Sequence, residues 1–207
     1  MKKIIVVTMA VLVGVGLSGL SQADIAGSGH DLTNVDGTTV TQICLPCHTP
    51  HNADTTTSDA PLWNHTLTSA TYTLYASPTF NAGTGDLNTI GQPSGVSKLC
   101  LSCHDGTVAP DAFTGHTAAM TKLPATIGAG GLGTDLRKSH PISFTYDDDL
   151  VLADPDLNDP DTLPAGWVNN NKFECSSCHD VHNKNENGAM LHISNAGSAL
   201  CLKCHAK

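Results

Sequence analysis

Apolar residues are spread unevenly along this chain. After Met1, Lys2 and Lys3 comes an apolar run from Ile4 to Leu20, interrupted only by Thr8, Gly14, Gly16, Ser18 and Gly19, and then Ser21-Gln22-Ala23. A short basic region, an apolar stretch and small residues two apart are the layout of a secretory signal peptide, here cut after Ala23. The competing reading is a membrane anchor. The run is near the shortest that spans a bilayer, roughly 17 residues, and its glycines weaken it. No cysteine follows the expected cut, which argues against a lipid-anchored N-terminus. Beyond Ala23 no apolar run is long enough to cross a membrane.

Past that segment the periodicity is weak. Thr66 to Tyr75 alternates loosely, as a short strand does. Leucines before and within Leu99-Cys100-Leu101 and Leu200-Cys201-Leu202 fit short helices. The predicted fold is mostly coil with short α-helices and little sheet. Core material is thin, with aromatics at 4%, 19 glycines and 11 prolines. A chain so poor in apolar bulk needs staples such as disulfides, metals or cofactors. Removing Lys2 and Lys3 takes the formal charge from −9 to −11. That acidity argues against nucleic acid, whose phosphates require basic patches, and says little about fold.

The cysteines identify the staple. All eight fall in one pattern used four times: Cys44-Leu45-Pro46-Cys47-His48, Cys100-Leu101-Ser102-Cys103-His104, Cys175-Ser176-Ser177-Cys178-His179 and Cys201-Leu202-Lys203-Cys204-His205. C-x-x-C-H is the c-type haem attachment motif. Two thiols three positions apart each add to one vinyl group of a single haem, and the following histidine binds the iron as proximal ligand. The expected cofactor is therefore haem c, four copies, covalently held. Zinc also takes paired C-x-x-C units but does not require a histidine after each second cysteine. Disulfide frameworks have no reason to repeat the five-residue pattern. Four copies without a thioredoxin-like context do not read as redox dithiols.

Seven histidines lie outside the motifs: His30, His51, His65, His116, His140, His182 and His192. Only Met120 and Met190 lie beyond the apolar leader, too few to serve four irons, so bis-histidine ligation is the expectation. His51 and His182 each follow a motif histidine by three residues, which puts them on the same side of a helical turn. Axial ligands need opposite sides of the ring, so each suits a neighbouring haem rather than its own. His140 precedes Pro141, which biases it to extended backbone. With His65 and His30 these complete the distal candidates; His116 and His192 have weaker surroundings.

A repeat emerges when the motifs are aligned. Cys47-His48-x-x-His51-Asn52 followed by Leu99 to His104 matches Cys178-His179-x-x-His182-Asn183 followed by Leu200 to His205. The expected organisation is a signal peptide over 1–23, a dihaem module with haems 1 and 2 over 24–110, a loop-rich connection over 111–170, and a dihaem module with haems 3 and 4 over 171–207. The connection holds Gly128-Ala129-Gly130-Gly131-Leu132-Gly133, a turn region, and acidic runs at 147–149 and 154–161. These read as solvated loops. The rival is a calcium site, although the EF-hand spacing is absent. The haems themselves should form the core, each an apolar disc whose burial stabilises at about 25 cal/mol per Å².

The phrases Ile43 to Asn52, Ala60-Pro61-Leu62-Trp63-Asn64-His65, Leu99 to Gly106, Ser139-His140-Pro141 and Cys175 to Asp180 resemble the multihaem cytochromes of metal-reducing bacteria, and most of all the OmcE-type extracellular cytochromes. The resemblance covers nearly all of residues 24–207. It implies all-bis-histidine haems in alternating parallel and T-shaped pairs, in a homopolymeric filament where one axial histidine comes from the next subunit. On this reading His30 is the expected donor and haem 4 the acceptor.

The leading expectation is an electron conduit, not an enzyme, exported to the cell surface or beyond. Its partners would be further copies of itself, redox proteins and an extracellular acceptor such as a metal oxide. One alternative is a soluble periplasmic tetrahaem shuttle. Another is a multihaem reductase with one open iron.

Overall fold

The computed structural model describes residues 24–81, 90–185 and 187–206. The expected signal segment, 1–23, lies outside them. Regular structure among the described residues is sparse, as the weak periodicity predicts. It comprises helix α1 (Gly95–His104), strand β1 (Phe144–Thr145), helix α2 (Asp148–Ala153), strand β2 (Lys172–Phe173) and the single turn α3 (Cys201–Cys204). Short 3-10 turns occur at Leu32–Asn34, Pro160–Thr162, Cys175–Ser177, Gly188–Met190 and Ala196–Ser198. β1 and β2 pair antiparallel, with Phe144 opposite Phe173. No helix among the described residues is long and apolar enough to cross a membrane.

The leucine-flanked motifs do form helices: the second lies wholly on α1 and the fourth on α3. α1 starts after Ser94 and buries Leu99 and Leu101 together with two serines, Ser97 and Ser102, that have no exposed surface. Serines on a buried face need partners. Ser102 Oγ donates to the Lys98 carbonyl and accepts from Thr68 N–H, while Ser97 Oγ accepts from Cys175 N–H. These small polar contacts let α1 lie close to the third motif.

The expected strand over Thr66–Tyr75 is a correction. Its alternation is real, since Thr68 and Tyr72 point inward between exposed Thr66, Ser69, Thr71 and Thr73. The backbone makes one isolated bridge, Thr73 to Asp135, rather than a ladder. Much of its inward bonding goes to side chains: Thr68 N–H to Ser102 Oγ, Ala70 N–H to Thr68 Oγ1 and Tyr72 N–H to Gln92 Oε1.

Two small apolar clusters organise the chain. One gathers Tyr72, Leu101 and Leu136. The other gathers Phe144, Tyr146, Leu150 and Phe173, with Cys178 and Cys204 packed against it. The connecting segment then straps down the C-terminal motif. Asn158 N–H donates to the Cys204 carbonyl and Ala206 N–H to the Asp156 carbonyl, and Tyr146 Oη donates to the Asn158 carbonyl. The acidic runs act mainly as caps: Asp147 accepts from Leu150 N–H at the start of α2, and Asp159 from Asp161 N–H. Asp148 and Asp149 favour the first turn of α2. Among the described residues no group of three or more His, Cys, Asp or Glu is gathered to hold a metal ion.

Asp105, directly after the second motif, is fully buried. It accepts from Thr68 Oγ1 and Tyr72 Oη at 2.6 Å and from Thr107 N–H and Oγ1 at 2.7 Å. Burial alone would raise its carboxyl; the hydrogen bonds from Thr68, Tyr72 and Thr107 outweigh that and hold it below the ordinary value. The network therefore stabilises the fold above about pH 4 and that stabilisation is lost as pH falls through the depressed value.

Tyr72→Phe removes one donor to this carboxylate and is expected to cost about 1.5–3 kcal/mol in denaturant unfolding of the haem-loaded protein. With so little regular structure and two small clusters, the haem-free chain should be largely disordered. Circular dichroism before and after haem attachment checks this, and a well-folded haem-free form would contradict it.

Candidate haem centres

None of the eight cysteines is in a disulfide. Burial pushes the thiols of Cys47 and Cys178 up to about 11 and that of Cys103 up to about 12. Redox dithiols need the opposite shift, so these three thiols give no support to that use. The motifs adjoin one another in chain order. Cys47 lies within electrostatic reach of Cys103, Cys100 hydrogen-bonds to Cys175, and Cys178 lies by Cys204. In the Cys100–Cys175 pair, Cys100 is the donor: its thiol is raised and that of Cys175 lowered by the same hydrogen bond.

Three motif histidines share one arrangement. His48 Nδ1 lies 2.7 Å from the Pro61 carbonyl, His179 Nδ1 lies 2.8 Å from the Ala189 carbonyl, and His104 Nδ1 hydrogen-bonds to the Gly130 carbonyl. A carbonyl can only accept, so each Nδ1 carries the proton and each Nε2 keeps its lone pair for a metal. This is how ligating histidines are usually oriented.

Local backbone builds the arrangement. Around the first motif, residues 61–64 run back beside 47–49: His48 bridges Trp63, Thr49 N–H donates to Leu62 O, and Asn64 N–H donates to Cys47 O. Around the third, residues 189–192 run beside 178–180: His179 bridges Leu191, Asp180 N–H donates to Met190 O, and His192 N–H donates to Cys178 O. The residue after each accepting carbonyl is left-handed, Leu62 at φ 54° and Met190 at φ 55°. So are Asn52 and Asn183, which follow His51 and His182. Asparagine tolerates that conformation better than most residues, which accounts for the repeated His-Asn pair.

Two imidazoles bound to opposite faces of one metal, each by a nitrogen about 2 Å from it, hold their ring centres about 6 Å apart. Three motif histidines face a second imidazole at this separation. His48 and His182 are 6.3 Å apart with planes 11° from parallel. His104 and His30 are 5.9 Å apart at 65°, and His205 and His140 are 6.5 Å apart at 65°. His140 is held against Phe173, 5.0 Å away, and its Nδ1–H donates to Pro141 O. His30 is held where the chain at 24–34 crosses the third motif, with Asp24 N–H donating to His182 O. Among the described residues its buried Nδ1 meets no partner at full hydrogen-bond geometry, although the Val181 backbone lies near the ring. Burial, then the neighbouring His104, lowers the His30 pKa, which favours the neutral imidazole that binds iron. The donor set thus fits haem: paired thiols, a protonated Nδ1 and a facing ring meet at the first and second motifs, with the Nδ1 bond at the third and the facing ring at the fourth.

His65 is not placed as a distal ligand. It is 4% exposed, and its Nδ1 and Nε2 lie 2.8 and 2.9 Å from the Thr66 and Ala109 carbonyls. Both nitrogens abut carbonyls and Nε2 also lies 3.3 Å from Cys103 Sγ, so neither nitrogen is open toward an iron, and among the described residues no motif histidine ring faces it. His116 is engaged at both nitrogens, by Asp111 O and Thr39 Oγ1, and stacks on Phe113. His192 bonds Ser176 O through Nε2 and stacks on Trp167. These three histidines hold loops together.

His51 and His179 are both exposed, and among the described residues neither ring faces another ring. His30, the expected donor to another subunit, instead faces His104 of its own chain, and His205 faces His140. His182 reaches from the second expected module to His48 in the first, so the two halves interlock.

The carbonyls of Pro61, Gly130 and Ala189 are the site residues that motif reading misses. The one sequence signal for them is the glycine run, taken above only as a turn. A Cβ on Gly131 would run into the Pro124 carbonyl, and one on Gly133 into the Ala125 carbonyl. Gly131→Ala should therefore displace the Gly130 carbonyl from His104, at about 1–3 kcal/mol of holoprotein stability. The electron paramagnetic resonance signal of one haem should change and the others should not. Gly29→Ala, where a Cβ meets nothing within 4 Å, should leave both unchanged.

Residues 168–207, which carry the third and fourth motifs, match the family model of the doubled CXXCH motif. No curated protein matches the chain. With its paired thiols and adjoining histidines, the doubled motif supports a multihaem c-type cytochrome that binds haem covalently and transfers electrons.

Proposed function

We propose that this chain carries four bis-histidine haems and relays electrons along them as the subunit of an extracellular conductive filament. In this reading haem 1 takes His48 and His182, haem 2 takes His104 and His30, and haem 4 takes His205 and His140. Haem 3 takes His179 and His51 of a second copy. When bound, each haem supplies one-electron exchange between ferric and ferrous iron. The chain's own residues set the ligands, withhold an open coordination position and bring successive motifs together.

The observation that carries the filament is the pair left over. Three motif histidines have a facing imidazole within the chain; among the described residues His179 has none, and the exposed His51 ring meets no other ring. A head-to-tail contact that joins two different surfaces of the same chain extends into a filament wherever its rotation does not close a ring. Exposed Leu62, beside residues 48–51, and exposed Val181, between His179 and His182, supply apolar surface at both ends of such a contact. Export follows from the signal-like layout of residues 1–23, and a metal oxide or another redox protein is the proposed acceptor.

A second reading has a specific observation behind it. An exposed His179 without a facing ring also describes a five-coordinate haem, the open iron of a reductase. A soluble periplasmic shuttle is the third reading, with the same relay in a monomer.

Material purified from the native host decides among them. Electron microscopy should show filaments, the mass should exceed the bare chain by four porphyrins, and the resting spectrum should be wholly low-spin. His51→Ala should give monomers in which one haem of four turns high-spin and binds carbon monoxide. Wild-type monomers with one high-spin haem would replace the filament by the reductase reading, and wholly low-spin monomers by the shuttle.

A further inference from the structure

Glu174 is a buried acid with no cationic partner. It is 7% exposed, and among the described residues no lysine, arginine or histidine lies within ion-pair distance of it. It sits directly before Cys175 and against the N-terminal turn of α1. Its Oε2 accepts from Ser97 N–H at 3.2 Å and from Ser143 Oγ–H at 2.9 Å. Its own N–H donates to Ser177 Oγ at 3.0 Å. A Cβ on Gly95 would come within 3.0 Å of Oε1, so α1 closes over the carboxyl with little room to spare.

This placement is more than packing requires. Burying an acid with only neutral donors costs several kcal/mol against a well-packed apolar group. The carboxyl lies where the second and third motifs meet, since Ser97 also binds Cys175 N–H and the Cys100 thiol touches Cys175. Its charge acts on the sulfurs of both motifs, opposing negative charge at Cys100 and Cys175 alike. The same field opposes an electron added to a haem held there, and burial strengthens it.

We propose that Glu174 is a potential-setting residue that lowers the reduction potentials of haems 2 and 3 relative to haems 1 and 4. Each of these irons takes up one electron on passing from ferric to ferrous, and the nearby carboxylate stabilises the ferric form. Ser97 N–H and Ser143 O–H aim at the acid and limit its field. The inference rests on the haem reading above but not on the filament.

Glu174→Gln keeps the shape and removes the charge. In a spectroelectrochemical titration of holoprotein whose mass shows four haems, two of the four midpoint potentials should rise and two should stay. Glu174→Asp should restore much of the wild-type spacing. No shift in fully loaded protein, or an equal shift of all four, overturns the proposal while leaving the haem assignment intact. If the glutamine variant does not mature, Ser143→Ala serves instead. Loss of one donor strengthens the carboxylate's field, so the same two potentials should fall; unchanged potentials would overturn the proposal.

Discussion

A histidine that must bind a metal through Nε2 has to donate its Nδ1–H to something fixed. In this protein that partner is the backbone. Pro61, Gly130 and Ala189 present carbonyls to the imidazoles of three motifs, and much of the irregular chain is arranged to keep those carbonyls where they are. The left-handed residues Leu62 and Met190 turn the chain immediately after the accepting carbonyl. Such conformations cost on the order of 1–3 kcal/mol at a non-glycine residue and persist only where the surroundings impose them. At the second motif the task falls to Gly130 and Gly131; a side chain on Gly131 could not fit against Pro124.

That dependence explains how a chain with little helix and less sheet holds a defined shape. Paired segments beside the first and third motifs do locally what a ladder would do. The Phe144–Phe173 stack, 5.1 Å between centres, holds His140 against Phe173 and belongs to the cluster that packs on Cys178 and Cys204. Through the strap at 156–158 the connecting segment becomes part of the fourth site. The segment at 24–34 does the same at the second site by bringing His30 over His104. The halves visible in the repeat therefore interlock: the second supplies His182 to the first, and the first sends its segment at 24–34 against the third motif.

Two acids, Asp105 and Glu174, are buried beside the second and third motifs, with no basic group within ion-pair distance among the described residues. Both are held by neutral donors from serine, threonine, tyrosine or backbone N–H groups. Neutral donors satisfy a carboxylate's hydrogen bonding while leaving most of its field in place, which a lysine or arginine would cancel. In a relay whose steps depend on the relative potentials of adjacent metals, such fixed charges are a lever the protein retains.

What the sequence alone determined was whatever is contiguous. The thiol pairs and the histidine after them are five-residue patterns, so the attachment sites and motif histidines were legible, as were helices over the leucine-flanked motifs. The i to i+3 geometry separates His182 from its own motif on sight. The distal partners were not legible to the same degree, because the second imidazole arrives from far along the chain. His65, next to a tryptophan, read as well as His30, and only the fold shows that Thr66 and Ala109 occupy both its nitrogens while His30 faces His104. The accepting carbonyls could not be read at all, since every residue has one and only backbone path aims it. Chain neighbours declare their chemistry in the sequence; groups that meet across the fold acquire theirs from the tertiary structure that brings them together.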